Sequence, residues 1–145
     1  MEKNQEIMQA FMEAWKKGDH KKMFALCQLT WKEGKSQKDL ENLLAGRKLN
    51  KYELISTTTI SSVARKFYYE LLFEDGRVIR SMVNVICEDK PYHPVTHGTW
   101  GVNPLSAINA AEILEKPEFT AAKKTIKPAA PKKAAAKKTA PKKIR

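Results

Sequence analysis

Apolar residues near the start of the chain recur at the spacing of a single helix face. They are Ile7, Met8, Phe11, Met12 and Trp15, and charged or amide side chains lie between them. Lys16 and Lys17 complement the negative end of a helix dipole, and Gly18 is the residue type that most often follows a helix. The pattern therefore predicts an amphipathic helix that ends at Gly18.

Two shorter helices are predicted next, each from a capping residue followed by apolar positions. Asp19 is a favourable N-cap for the second helix, and Ser36 with Asp39 has the spacing of a capping box for the third. The apolar positions behind these caps are Met23, Phe24, Leu26 and Cys27 in one segment and Leu40, Leu43 and Leu44 in the other. Gly46 is the predicted end of the third helix.

After the third helix the pattern changes to that of strands. The stretch STTTISSV is rich in β-branched residues, and VARKFYYELLFEDGRVIRSMVNVIC alternates on both sides of a turn. Asp75-Gly76 is the preferred dipeptide of a two-residue type I′ turn, so a hairpin is predicted with Glu74 facing Arg77. That pairing fixes the register of the two strands.

The predicted turn divides the side chains of the hairpin between two faces. One face carries Phe67, Tyr69, Leu71, Phe73, Val78, Met82 and Ile86 together with Arg65, Arg80 and Asn84. The opposite face carries Tyr68, Leu72, Ile79, Val83, Val85 and Cys87 together with Lys66, Glu70 and Ser81. Because neither face is purely polar, we expect helices to cover one face and a second subunit or a neighbouring segment to cover part of the other.

Two further elements complete the predicted domain. HGTWGVN predicts a last strand that ends at Pro104, and SAINAAEILEK predicts a short helix before Pro117. The order is three helices followed by a run of antiparallel strands. The predicted fold class is therefore α+β, with the three N-terminal helices packed on the sheet.

This order of elements resembles the nuclear transport factor-like (NTF2-like) and ketosteroid isomerase-like superfamily, a cystatin-like cone that includes the SnoaL-like proteins. The resemblance covers residues 5–108 and rests on AFMEAWKKGDHKKMFAL, the hairpin around EDGR, and THGTWGVNP. It implies three helices on a curved antiparallel sheet that encloses a conical pocket, often in dimers formed through the sheet. Some members are enzymes on small molecules, and many bind or assemble without catalysis. A different α+β sandwich has the same element order.

One face of the predicted hairpin offers candidate ligand-binding residues. Isomerase-like members of the superfamily use a pocket carboxylate as base, with Tyr or acid donors as an oxyanion site. The face assigned to the cavity offers Tyr69, Arg80 and Asn84 as ligand-pocket candidates, but it has no carboxylate within residues 63–73, since Glu70 falls opposite. We therefore predict no catalytic residue and favour a non-enzymatic protein, with catalysis left open. Pairing with the backbone or with one another is the simpler interpretation of these polar groups.

The histidines and cysteines give no metal or cofactor signature. His93 and His97 are four residues apart, but Pro94 opposes a helix, and on an extended chain their rings lie roughly 13 Å apart. Cys27 and Cys87 form no CxxC motif, so reduced buried thiols are the simplest interpretation, although a disulfide stays open. The sequence therefore predicts neither a metal site nor a cofactor.

The positive charge of the chain is concentrated at its C-terminus. Residues 120–145 contain ten of the 27 basic residues and none of the 16 acidic residues, so residues 1–119 carry only +1 of the total +11. The ten cations are Lys123, Lys124, Lys127, Lys132, Lys133, Lys137, Lys138, Lys142, Lys143 and Arg145. The Lys/Ala/Pro-rich composition and three prolines predict disorder. We therefore divide the chain into an α+β domain, 1–118, and a disordered basic tail, 119–145.

A tail of this composition predicts binding to polyanions. Lysine attracts phosphate by releasing condensed counterions and does not read base sequence. The segment resembles the Lys/Ala/Pro repeats of linker-histone tails, bacterial histone-like proteins and some ribosomal-protein extensions. We expect sequence-independent DNA or RNA binding by a non-catalytic protein that forms a homodimer through its sheet. An acidic protein or membrane surface, a merely solubilising tail, and a small-molecule-binding or enzymatic member of the isomerase-like superfamily with an incidental tail stay open.

The sequence also predicts the cellular location of the protein and the role of its aromatic residues. The start, MEKNQEIMQAFMEAWKKGDH, is charged throughout, which predicts no signal peptide, and no apolar run approaches the roughly 18 residues of a membrane span. We therefore predict a cytoplasmic protein with no membrane partner, associated with a nucleoid or ribosome, or nuclear in a eukaryote. Aromatic residues that are able to stack on bases but are more typical of a core are Trp31, Phe67, Tyr68, Tyr69 and Trp100.

Overall fold

The computed structural model describes residues 2–109 of the chain. Its helices are α1 (Lys3–Lys17), α2 (His20–Ala25), α3 (Leu29–Lys32), α4 (Gln37–Leu43) and α5 (Pro104–Ile108). Its strands are β1 (Leu49–Ser61), β2 (Ala64–Phe73), β3 (Val78–Lys90), β4 (His93–Pro94) and β5 (Thr99–Val102). The fold is α+β, with N-terminal helices packed against an antiparallel sheet, as predicted. The predicted tail and residues 110–116 of the predicted final helix lie outside the described residues.

The first helix forms as its apolar pattern predicts. Met8, Phe11 and Met12 are fully buried on one face of α1, and Trp15 is almost so. Gly18 ends the helix with a φ of +75°, a left-handed conformation that glycine adopts without a steric penalty. The hydrophobic face of α1 is thereby fixed over the sheet.

The predicted capping residues of the next helices are also confirmed. The Asp19 carboxylate accepts a hydrogen bond from the Lys22 amide at 3.1 Å at the start of α2. At the start of α4, the Ser36 amide donates to the Asp39 carboxylate at 2.7 Å. The helix α4 ends at Leu43, before the predicted end at Gly46, and the four-residue helix α3 was not predicted.

The sheet has the strand order β1-β2-β3-β4, and β5 pairs with β3. The face toward α1 carries most of the core, in which the Trp15 and Phe73 rings lie 5.9 Å apart. Gly101 lets β5 approach the segment after α2, since a Cβ there would lie 2.5 Å from the Gln28 Cα. This contact joins the helical layer to the edge of the sheet.

The hairpin between β2 and β3 forms, but its predicted register is wrong by one residue. The Gly76 amide donates to the Phe73 carbonyl at 2.9 Å, and the Phe73 amide donates to the Arg77 carbonyl at 2.9 Å. The loop therefore has three residues, Glu74 to Gly76, and Gly76 takes a φ of +94°. Phe73 thus faces Arg77, and every side chain of β3 lies on the opposite face from the predicted one.

With the observed register, the two most apolar stripes of the hairpin share the core face. Phe67 pairs with Val83, and Leu71 pairs with Ile79. The core-facing positions of the hairpin are Phe67, Tyr69, Leu71, Phe73, Ile79, Ser81, Val83, Val85 and Cys87. The outer face carries Ala64, Lys66, Tyr68, Glu70 and Leu72 from β2, and Val78, Arg80, Met82, Asn84 and Ile86 from β3.

Candidate functional site

The shifted register separates the three residues predicted to line one pocket. Tyr69 faces the core and is 4% exposed, whereas Arg80 and Asn84 lie on the outer face of the sheet. The backbone N–H of Asn84 donates to the Ser106 hydroxyl at 3.0 Å, which links β3 to α5. The structure therefore does not bring all three residues together in one cavity, although Tyr69 and Arg80 both border an open depression on the outer face.

Arg80 is instead paired with a carboxylate predicted to lie on the other face. Its Nε atom is 2.9 Å from Oε2 of Glu70, which lies opposite it on β2. The Glu70 side chain is nearly buried, while that of Arg80 is mostly exposed. Around the pair lies an open depression of about 310 Å³ whose rim includes Ile55, Tyr68 and Met82. An anionic ligand here competes with Glu70 for the guanidinium.

A cleft of about 230 Å³ lies between α1 and the core face of the sheet. Its lining residues are Gln5 and Gln9 from α1, Tyr52 and Leu54 from β1, and Phe67 and Tyr69 from β2. The two tyrosine rings meet edge to face, with centroids 5.9 Å apart. The cleft thus combines an apolar floor with amide and phenol groups that form hydrogen bonds.

The Glu13 carboxylate accepts a hydrogen bond from the hydroxyl of Tyr52, one of the lining residues of this cleft. Burial, followed by the hydrogen bond and charge of Glu13, raises the pKa of Tyr52 well above its usual range. Burial also raises the pKa of Tyr69 to about 12. The Tyr69 phenol is therefore a protonated donor at neutral pH, whereas the single hydroxyl proton of Tyr52 is already donated to Glu13. This arrangement suits binding of a neutral acceptor better than proton abstraction.

The sequence did not predict a role for three residues that line this cleft, Gln5, Gln9 and Tyr52, or for Glu13, which Tyr52 contacts. A signal for three of them was present, because Gln5, Gln9 and Glu13 recur at i, i+4 and i+8 on α1. That spacing places them in one stripe beside the apolar face. Tyr52 carried no comparable signal, since its position over α1 depends on the strand pairing.

A larger, open cleft of about 610 Å³ lies at the C-terminal end of α1. Its polar groups are occupied by the fold: the Trp15 indole donates to the Arg47 carbonyl at 2.9 Å, and the Lys48 ammonium donates to the Lys16 carbonyl at 3.4 Å. Both cations and carboxylates line it, including Lys48 and Glu74. This mixed charge does not select a ligand class.

The histidine region contains a hydrogen bond between His93 and Asp89. His93 lies in β4, and its Nδ1 atom is 2.7 Å from the Asp89 carboxylate, while His97 lies in the turn before β5. Hydrogen bonding to His93 lowers the pKa of Asp89. Among residues 2–109, no group of three or more His, Cys, Asp or Glu side chains is placed to bind a metal. Cys27 and Cys87 are both buried and free.

The ten tail cations predicted to contact nucleic acid lie outside residues 2–109. Within the described part of the chain, no helix is both long and apolar enough to cross a bilayer. Comparisons with protein-family models, with curated proteins and with solved structures give no match to this chain. The proposals below therefore rest on its own residues and their chemistry.

Proposed function

We propose that this chain is a non-catalytic nucleic-acid-associated protein in which residues 120–145 supply sequence-independent affinity for DNA or RNA. The observation that carries the proposal is the segregation of charge, with ten cations and no acid in that segment. Lysine-rich segments bind phosphates by releasing counterions, so affinity falls steeply with salt. Full engagement of ten cations on duplex DNA corresponds to a log–log salt slope of roughly −9, and partial engagement to about −4 to −7.

The outer face of β1, β2 and β3 supports the second part of the proposal, a homodimer formed through the sheet. Ile55 and Met82 are each 55% exposed there, and Tyr68 is half-buried on the same face. Such apolar side chains on an open antiparallel sheet favour contact with another sheet. A dimer presents two tails, and binding of the first raises the effective concentration of the second.

The test compares the full chain with a full-length variant in which the ten cations are replaced by glutamine. Binding to duplex DNA and to RNA is measured by fluorescence anisotropy across a salt series. We expect the variant to lose most of its affinity and salt dependence, while a control with the same tail residues in scrambled order keeps both. Equal binding by the wild type and the glutamine variant at moderate salt would contradict the proposal.

A second candidate function is small-molecule binding in the cleft between α1 and the sheet, the alternative suggested by the isomerase-like resemblance. The specific observation in its favour is the protonated phenol of Tyr69 over an apolar floor. A screen of neutral ketones and phenols by thermal shift tests it, with Tyr69→Phe as the matched variant. Compounds that raise the melting temperature of Tyr69→Phe as much as that of the wild type do not bind in this cleft.

A further inference from the structure

Aromatic and cationic side chains share a surface formed by α2, α3 and the turn before β4. We call it the aromatic–lysine surface and define it by Phe24, Trp31, Lys32, Lys35 and Tyr92. The Phe24 and Trp31 rings are 6.3 Å apart and meet edge to face, and both are half-buried. Tyr92 is 73% exposed, which is more than any other large hydrophobic residue among residues 2–109. These rings line none of the clefts described above.

Lysines lie over the faces of two of these rings. The Lys35 ammonium is 5.2 Å from the centroid of Trp31, and the Lys32 ammonium is 5.8 Å from that of Phe24. A lysine ammonium keeps its hydration, so it rests only on a ring face that is open to solvent. A flat ligand that stacked on these rings would displace the two lysines. Their flexible side chains would then be able to reach the phosphates of that ligand.

A buried carboxylate holds Thr30, which lies next to two aromatic residues of this surface. Glu88 is 2% exposed and accepts hydrogen bonds from the Thr30 amide, at 3.1 Å, and from the Thr30 hydroxyl. That hydroxyl in turn accepts a hydrogen bond from the Tyr92 amide at 2.8 Å. The network therefore holds the backbone of Tyr92 beside Thr30, which directly precedes Trp31.

The backbone of Tyr92 also departs from the ordinary conformation. Its φ is +64°, and it is the only non-glycine residue within 2–109 with a positive φ. A bulky residue rarely adopts this conformation, which persists here because Thr30 holds its amide. The result is a tyrosine held out from the surface rather than packed into it.

The local charge favours an anionic ligand. Residues 20–35 contain Lys21, Lys22, Lys32 and Lys35 but a single acid, Glu33, which gives this segment a net charge of +3. The neighbouring strand adds Glu88, Asp89 and Lys90, so the net charge around the surface is +2. The exposed ring of Tyr92 and the half-buried ring of Trp31, which also packs against the core, lie among these cations. Accessible rings among cations are the combination that binds single-stranded nucleic acid, because bases stack on the rings while lysines follow the backbone.

We propose that the aromatic–lysine surface binds unpaired bases of single-stranded nucleic acid. Bases stack on Trp31 and Tyr92, and Lys32 and Lys35 contact the neighbouring phosphates. The inference rests on the proposed function and deepens it. The tail provides affinity for any nucleic acid, and this surface adds a preference for single strands, whose bases are free to stack.

The experiment uses the full chain with oligo(dT) and oligo(U) of about 15 nucleotides, and a duplex with the same number of phosphates. Titrations at about 0.3 M salt weaken the contribution of the tail. Tyr92→Asn removes the exposed ring and keeps a residue that tolerates a positive φ, and Tyr92→Phe is the matched control that keeps the ring. The two oligonucleotides distinguish DNA from RNA.

We expect tighter binding to single strands than to duplex, with quenching of tryptophan fluorescence. Tyr92→Asn should weaken single-strand binding by about fivefold or more and leave duplex binding unchanged, while Tyr92→Phe behaves as wild type. Trp31→Phe should remove the quenching and retain most of the affinity. If the wild type binds both forms equally and Tyr92→Asn changes neither, the stacking surface is refuted and the tail proposal stands. If no nucleic acid binds even at low salt, both are refuted.

Discussion

The register of the hairpin predicts different effects of truncation at two adjacent residues of β3. Val83 is fully buried against Phe67, while Met82 points outward and is 55% exposed. The register expected from a two-residue turn reverses these roles. Truncating each side chain to alanine therefore tests the register directly, and the two variants serve as controls for each other.

The expected magnitudes follow from burial. Val83→Ala removes two fully buried carbon groups, each of which contributes about 0.8 kcal/mol of transfer free energy. The cavity left behind raises the loss in unfolding free energy to about 2–3 kcal/mol. Met82→Ala removes a side chain that is already half in water, so its cost to the isolated domain is about 0.5 kcal/mol.

Urea denaturation, monitored by circular dichroism, measures the loss in unfolding free energy for both variants. Because the proposed dimer covers Met82, the curves are recorded over a range of protein concentrations, and values from the dilute limit are compared. Val83→Ala should also lower the melting temperature by about 10 °C or more, as expected for a domain of this size. A larger loss for Met82→Ala than for Val83→Ala at the dilute limit would falsify the observed register.

Three further predictions address the core and its titratable groups. Because burial raises the pKa of Tyr69 to about 12, its stabilising effect is complete below the ordinary tyrosine pKa near 10 and declines between pH 10 and 12. Between pH 10 and 12 the melting temperature should therefore fall less steeply for Tyr69→Phe than for the wild type. Burial likewise raises the pKa of Cys27 to about 12, so its thiol should resist Ellman's reagent at pH 8 until urea unfolds the domain. Gly101→Ala, which forces a Cβ against backbone, should cost about 3 kcal/mol in urea titrations, more than the open, left-handed Gly34→Ala at about 1 kcal/mol.

The helices were predictable because their signals are local. A capping oxygen and the amide it accepts from lie within three residues of each other, as Asp19 and Ser36 illustrate. The apolar stripe of α1 is equally visible in one short segment. The short helix α3 had no such signal, since much of its support comes from the distant carboxylate of Glu88.

The register was not predictable from the turn dipeptide alone. Asp-Gly suits a two-residue loop, but it also fits a three-residue loop in which the glycine takes the left-handed position. A stronger signal lay in the strands, where matching the more apolar stripe of β2 with the more apolar stripe of β3 requires Phe73 to face Arg77. Burial of those stripes selects the register, because a slip of one residue would expose the entire apolar face of one strand.

The same register determines which ligands the interior can accept. Had Arg80 faced α1, an unpaired guanidinium in the cleft would have selected an anion. In the structure Arg80 lies outside and is paired with Glu70, and the cleft presents the phenols of Tyr52 and Tyr69 instead. Because Tyr52 already donates to Glu13, the protonated phenol of Tyr69 over an apolar floor favours a neutral acceptor, so the interior is poorly suited to phosphate. The proposed binding of nucleic acid therefore concerns the surface of the domain and the lysine-rich segment 120–145, and not the interior cleft.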